Sequence, residues 1–382
     1  MFSSLETKRF SKIETPFYYY DLKVLEKTLQ ALVDAMKPHG FHTHYALKAN
    51  VNTKILNMIH GFGLGADCVS GNEILRALEI GFTPKDIVFA GVGKSDKEMN
   101  IALSNDIHCF NCESIAEMDV LNELAGKMGK TARIALRINP DLDAKTHKYI
   151  TTGKEENKFG IHLSMLDGAH QALQNLAHIE LIGIHMHIGS QVTDMTVFEK
   201  LANRANELQR WFAEKDVVLE HINLGGGLGV DYQNPQSASI ADFTTYFNIF
   251  AKHLERRNGQ HIYFELGRSI VAQSGSLISR VLYVKKGLKK QFVVLDAGMT
   301  ELIRPALYQA AHHIENISSE ADSHEYDVVG PICESSDCFA RNIQMPETKR
   351  GDLIALRTAG AYGEVMASRY NLRDIAHAVY SE

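Results

Sequence analysis

No apolar run in the 382-residue chain approaches the length needed to cross a bilayer, so a membrane-spanning helix is not expected. A basic excess is missing as well: Lys+Arg 40 stand against Asp+Glu 46, a net charge of -6, and no segment reads as a basic arm. Nucleic-acid phosphates ask for a basic face, so no nucleic-acid partner is expected. Cysteine is scarce and odd in number, with Cys68, Cys109, Cys112, Cys333 and Cys338. An odd set in a chain without an export signal argues for reduced thiols. Cys109 and Cys112 form a CxxC, but no second pair accompanies them and "IHCFNCE" reads as a strand, so no metal site is expected. The opening "MFSSLETKRFSKIETPFYYY" scatters its charges and has no apolar core behind a basic end, which argues against a secretory signal and for the cytoplasm. Proline-rich linkers, low-complexity stretches and long charge runs are absent too.

What is present is ordinary for a globular enzyme, with 45% hydrophobic and 23% charged residues. The length exceeds the size at which a single core stops growing, which favours two domains. Short apolar, β-branched runs followed by turn residues recur about eight times: "HTHYALKA", "GLGADCVS", "DIVFAG", "IHCFNCES", "ARIALRINP", "ELIGIHMHIGS", "HINLGGG" and "IYFELGRS". Between them lie segments of helical period, such as "TKILNMIHGF", "GNEILRALEIGF" and "VFEKLANRANELQRWFAEK". Alternation of this kind implies parallel strands with crossover helices, and eight repeats point to a closed (β/α)8 TIM barrel. An open doubly wound sheet is the alternative. After about residue 270 the period changes to two, in "SGSLISRVLYVKK", "KQFVVLDAG", "HEYDVVGPICES" and "GDLIALRTAGAY", which predicts an antiparallel β domain with a helical exception near "ELIRPALYQAAHH". The expected division is a barrel over residues 24–272 and a β-rich domain over 273–382 joined by residues 1–23.

In a (β/α)8 barrel the chemistry sits at the C-terminal ends of the strands. Those ends carry Lys48, Asp67, Ser70, Asn111, Glu113, Asn139, His187, Ser190, Gly225 to Gly227, Glu265 and Arg268. A strand-end lysine alone is usually a solvated residue; a lysine, a histidine, a glycine turn and a carboxylate at one mouth form a constellation. Consecutive glycines in "NLGGGLGV" let backbone N–H groups approach an anion. The turn does not match the dinucleotide fingerprint, since Val230 occupies its sixth position, and no Gly-Lys-Ser/Thr follows. A phosphate site after the seventh strand suits the barrel better. A phosphorylated cofactor that also wants a lysine is pyridoxal 5'-phosphate (PLP), whose aldehyde condenses with an amine. Glu265 is the candidate to face the pyridine nitrogen, and His187 the candidate to pack on the ring.

Taken together, "YALKAN", "GADCVSGNE", "NPDLDAKTHKYITTGKEENKFGI", "HMHIGSQ", "NLGGGLGVDY", "ELGRSIV", "DAGMTELIRPALYQAAHH", "VVGPICESSDCFA" and "GAYGEVMASRYN" resemble the alanine-racemase-like, fold-type III PLP enzymes. Within that group the "THKYITTGKEENKFG" block, "RPALY" and "CESSD" resemble the meso-diaminopimelate decarboxylase branch. The resemblance covers nearly the whole chain. It implies decarboxylation of meso-2,6-diaminopimelate to L-lysine and carbon dioxide, the last step of lysine biosynthesis, on a PLP barrel with a C-terminal β domain.

Carried onto this sequence, the resemblance makes Lys48 the PLP anchor, with Asp67 also counted in the cofactor set. Gly226, Gly227 and Ser190 would hold the phosphate, His187 would stack on the ring, Glu265 would face its nitrogen, and Gly267 and Arg268 would complete the cofactor-binding stretch. Arg268, Arg304 and Tyr308 would grip the distal carboxylate, to which bidentate guanidinium geometry is suited. Cys333 would donate the proton, Glu334 would bind the distal ammonium, and Tyr362 would touch both cofactor and substrate. The resemblance further implies a head-to-tail homodimer in which the "CES" loop completes the partner's site.

Two positions depart from the family pattern: Leu266 and Lys148 stand where proline is common. Three rival readings carry less weight. A same-fold decarboxylase of ornithine, lysine, arginine or carboxynorspermidine would prefer an acid where Arg304 and Tyr308 stand. A racemase would favour a cation over Glu265 at the ring nitrogen, and a non-catalytic PLP-homeostasis protein generally lacks a second domain and its "CES" loop.

Overall fold

The computed structural model describes residues 2–142, 158–236 and 239–382. Position 148 lies outside them. By internal contacts the chain divides into a barrel unit, Leu29–Gly229 with Asp242–Gly267, and a strand-rich unit, Met1–Thr28 with Val230–Ala241 and Arg268–Glu382. Among the described residues no helix is long and apolar enough to cross a membrane.

The first strand, β1 (Phe17–Tyr20), belongs to the strand-rich unit. Eight strands of the barrel unit follow: β2 (Phe41–Ala46), β3 (Gly65–Cys68), β4 (Ile87–Phe89), β5 (Cys109–Cys112), β6 (Ala132–Arg137), β7 (Ile179–His185), β8 (His221–Asn223) and β9 (His261–Leu266). Each pairs in parallel with the next, and β2 pairs with β9 to close the barrel. Helices begin where the sequence offers a cap. The Ser70 hydroxyl accepts from the Glu73 amide at 3.2 Å to start Gly71–Ile80, and Ser114 accepts from Glu117 at 3.1 Å to start Ile115–Lys127.

Parallel barrel strands are covered on both faces and read as nearly continuous apolar runs, so the buried polar residues within them stand out. Two groups include most of them. His44 stacks on Tyr263 at 5.0 Å and His221 stacks on it at 4.3 Å, while His108 lies 3.3 Å from the His221 ring. Asp67, Asn111, His185, Asn223 and Glu265 form the second group, all of them buried.

The strand-rich unit continues with β10 (Gly275–Lys286), β11 (Gln291–Leu295), β12 (Ile314–Asn316), β13 (Ser323–Val329), β14 (Cys338–Pro346), β15 (Leu353–Leu356) and β16 (His377–Tyr380). The sheet order is β12-β15-β10-β11-β13-β14, with β1 bridging β10 and β16. Its pairings are antiparallel except β1 with β16 and β11 with β13, which run parallel. Phe10, Phe17 and Tyr19 from the first twenty residues pack with Ile278, Leu353 and Ala355, so the period-two apolar positions of β1, β10 and β15 share one core. The helix Arg304–Tyr308 is the exception expected near "ELIRPALYQAAHH".

Candidate active site

In the barrel unit β2 stops at Ala46, and Lys48 sits on a single 3-10 turn, Leu47–Ala49, rather than at the strand end itself. The turn is closed by the Asn50 amide donating to Leu47 O at 3.0 Å, and the Tyr45 hydroxyl donates to Asn50 O at 2.9 Å. On the neighbouring strand, Ala46 is in register with Asp67. That register brings Lys48 Nζ within 3.4 Å of Asp67 Oδ2. The lysine side chain is 40% exposed and the aspartate 1%, so the amine is reachable while its counterion is not. Burial first, and then repulsion from Glu265, push the Asp67 carboxyl up to about 6 against the pull of Lys48. Its other oxygen, Oδ1, is buried with no hydrogen-bond partner among the described residues.

Glu265 enters on β9, opposite His44 of β2. Its Oε1 accepts from Asn111 Nδ2 at 3.1 Å and Asn223 Nδ2 at 2.7 Å, and its Oε2 lies 2.8 Å from His185 Nε2. Donors from β5, β7 and β8 therefore converge on one carboxylate. Burial alone would raise its affinity for a proton; the charge and hydrogen bond of His185, with Lys48 and His187 behind, outweigh it and hold Glu265 below the usual carboxylate range.

The glycine turn follows β8. Gly225 donates to Asn223 Oδ1 at 2.9 Å, and Glu265 N donates back to Gly225 O at 2.8 Å. A side chain at Gly226 would run into the carbonyl oxygen of Glu265, and Gly227, at φ +107°, would place a Cβ 2.8 Å from Gly189 O beside Ser190. His187, two residues past the end of β7, accepts from Gly226 N on Nδ1 at 3.2 Å. This leaves Nε2 to carry the ring proton. Burial, followed by the charges of Lys48 and Arg137, drives that ring well below the ordinary histidine range, so it is neutral. At Gly267 a Cβ would meet those of Ala46 and Ala49 at 3.1 Å, which is how the end of β9 packs close to the lysine turn.

In the strand-rich unit a second group forms around Tyr232. Arg268 donates to the Tyr232 hydroxyl at 2.5 Å and lies 4.7 Å over the Tyr362 ring. Arg304 lies 4.4 Å over the Tyr232 ring and donates to His312 Nε2 at 2.7 Å. Both arginines are buried, and Tyr308, at the end of the helix that Arg304 opens, is close enough to act on both electrostatically. Cys333 and Glu334 lie on an exposed segment whose base is fixed by buried Asp337, which accepts from Ile332 N and Met299 N at 2.7 Å each.

The fold thus brings Lys48, Asp67, His187, Gly226, Gly227, Glu265 and Gly267 into one unit with Ser190 beside the glycine turn, and gathers Arg268, Arg304, Tyr308 and Tyr362 in the other. Sequence reasoning did not single out His185, Asn223, Tyr232 or His312. His185 was within reach, since alternation in "HMHIGS" gives residues two apart the same facing. Nothing in the sequence pairs Tyr232 with His312, because their contact depends on the tertiary fold.

Residues 22–272 match the pyridoxal binding domain of the pyridoxal-dependent decarboxylases. The chain belongs to that family. It is 54% identical over 375 residues to the diaminopimelate decarboxylase of Bacteroides thetaiotaomicron, covering 98% of this chain and 97% of that one. The crystal structure of diaminopimelate decarboxylase from Helicobacter pylori complexed with L-lysine superposes with a TM-score of 0.90 at 40% identity, covering 98% and 93% of the two chains. A second crystal structure, diaminopimelate decarboxylase from m. jannaschii in co-complex with L-lysine, gives a TM-score of 0.91 at 32% identity, covering 98% and 89%. The cofactor of the family is pyridoxal 5'-phosphate, and the residues fit it. A reachable amine stands beside a buried carboxylate with one unsatisfied oxygen, an anionic glutamate is pinned from three strands, and the glycine turn has no room for a side chain.

Proposed function

We propose that the chain decarboxylates meso-2,6-diaminopimelate to L-lysine and carbon dioxide, the last step of lysine biosynthesis, as its relatives' names and their lysine complexes support. The observation that carries the substrate is Arg304. It is a buried guanidinium that meets an imidazole and a tyrosine ring, and no carboxylate pairs with it among the described residues. A buried cation is costly without an anion, so the anion belongs to the substrate. The carboxylate retained in lysine supplies it; a substrate with only an ammonium at that end would be repelled.

The cofactor, when bound, supplies an electron sink for the pair released as carbon dioxide leaves. In the barrel unit Lys48 Nζ is the amine that anchors it, and Asp67 Oδ2 is placed to take or return a proton at that nitrogen. Glu265 holds a proton at the ring nitrogen and stays anionic throughout, which favours the transition state over the ground state. His187 packs on the ring as a neutral imidazole, Gly226, Gly227 and Ser190 hold the phosphate, and Gly267 admits the close approach of the lysine turn. In the strand-rich unit Arg268, Arg304 and Tyr308 take the retained carboxylate, and Tyr362 flanks Arg268. Cys333 Sγ returns the proton to Cα and Glu334 binds the distal ammonium.

Cys333 and Glu334 are exposed in the single chain. That exposure suits a homodimer in which each "CES" segment serves the partner's site. Five free cysteines agree with a reducing, cytoplasmic setting. The deciding experiment is a carbon dioxide release assay over a panel of amino acids. Release from meso-diaminopimelate, and none from L-lysine or L-ornithine, is the expected result; faster turnover of ornithine would overturn the substrate assignment.

A further inference from the structure

The residues that hold Arg304 and Arg268 have a chemistry of their own. His312 is buried, and its Nδ1 lies 2.8 Å from the carbonyl oxygen of Arg357. A carbonyl only accepts, so Nδ1 carries the proton and Nε2 presents a lone pair, which receives Arg304 Nη1–H at 2.7 Å. Burial, then the charge of Arg304, pull the His312 ring down to about 3, so it stays a neutral acceptor at working pH. Tyr232 adds two contacts from one side chain. Its ring lies under Arg304 at 4.4 Å and edge-on to His312 at 5.0 Å, while its hydroxyl receives Arg268 at 2.5 Å. Arg304 Nε is buried with no partner among the described residues.

An arginine can be oriented by an anion or by neutral acceptors, and the two differ in what they leave behind. A carboxylate in the place of His312 would orient the guanidinium and also cancel its charge. An imidazole and a phenol ring fix its direction and leave the charge unspent, because a lone pair and a π face attract a cation without neutralising it.

Building on the substrate reading above, we propose that His312 and Tyr232 are positioning residues that hold Arg304 aligned but electrically uncompensated, and so set selectivity for a substrate end that bears a carboxylate. His312 acts through Arg304, and its tautomer is set by the Arg357 carbonyl. Tyr232 couples the two arginines so that they present to the carboxylate together.

The test uses the PLP-loaded enzyme and two ligands that differ in that carboxylate, L-lysine and cadaverine (1,5-diaminopentane), with binding followed by calorimetry beside KM and kcat for meso-diaminopimelate. His312→Glu should weaken L-lysine and raise KM by ~10-fold or more, since it satisfies Arg304 internally. It should leave kcat near wild type, and cadaverine binding should hold or improve, because the charge that repels an ammonium end is then cancelled. His312→Gln can accept from Arg304 and donate to Arg357 O, so it should keep L-lysine affinity, and His312→Leu should not. Should the glutamate variant fail to fold, the glutamine and leucine pair decides alone. Equal L-lysine affinity in those two, or equal losses for L-lysine and cadaverine, overturns the proposal. Arg304→Gln separates the two levels of the argument: if it leaves L-lysine binding intact, the arginine reading itself fails. If it weakens L-lysine while every His312 variant binds as wild type, only the positioning role fails.

Discussion

His185 Nε2 lies 2.8 Å from Glu265 Oε2, and this contact, with two amides on the other oxygen, decides the charge of a buried acid in the barrel unit. A buried carboxyl left to itself would be neutral, and a neutral acid could not hold a proton on a ring nitrogen. Glu265→Gln keeps most of the hydrogen bonding and removes the charge. It should cut carbon dioxide release by ~100-fold or more, the scale on which a preorganised charge contributes to a transition state. A wild-type rate would remove Glu265 from the role given to it.

Gly226→Ala tests the anion cradle. The new methyl would meet the Glu265 carbonyl, a backbone atom that cannot swing away. Overpacking of this kind costs about 1–3 kcal/mol and distorts the backbone around it. The expected outcome is a lower thermal midpoint together with cofactor lost on dialysis, read from absorbance and phosphate content. Full cofactor retention would show that the turn does not need to be bare.

The histidines stacked on Tyr263 make the barrel unit acid-sensitive. Burial, with repulsion from His108, draws the His44 ring from its ordinary 6.5 down to about 4. A ring that takes up a proton more readily in the unfolded chain stabilises the fold fully above pH 6.5, and the contribution is lost as pH falls toward 4. For His44 the loss amounts to about 2 kcal/mol by pH 5. His44→Phe keeps a ring against Tyr263 and removes the titration. Its midpoint should drop less than that of wild type between pH 7.5 and pH 5; parallel curves for the two proteins would contradict this account.

Shared sites predict complementation. Lys48→Ala and Cys333→Ala should each be inactive as homodimers. Each mixed heterodimer should carry one complete site, so random assembly of the kind closed two-fold symmetry allows should recover up to about a quarter of wild-type activity. Confirmed heterodimers with no recovery would place each Cys333 in its own chain's site.

Much of this was legible in the sequence, for identifiable reasons. Strands of the barrel unit announced themselves because each is short, apolar and followed by turn residues, and the helices because of their period. The change to period two after residue 270 marked the second sheet, though alternation cannot distinguish parallel from antiparallel pairing, so β11 with β13 and β1 with β16 could not be read in advance. Val230–Ala241 and Arg268–Val271 also belong to the strand-rich unit, where Tyr232 meets Arg304 and His312 and Arg268 meets Tyr362. Lys48 and Glu265 were visible as polar residues ending apolar runs. His312 and Tyr232 were not, because a residue that acts by orienting another leaves no spacing of its own.

The pairing of β1 with β16 bears on how the molecule is made. Tyr20 sits beside Tyr380, and the Ser381 amide donates to Tyr20 O at 2.9 Å. During translation the early strand therefore emerges long before either neighbour exists, and both its flanks must wait, unpaired, while the intervening barrel segment is synthesised, the one facing β16 longest. The ribosome has delivered nearly everything else before that seam can close, so nascent chains stalled short of β16 should be the species that chaperones and proteases meet.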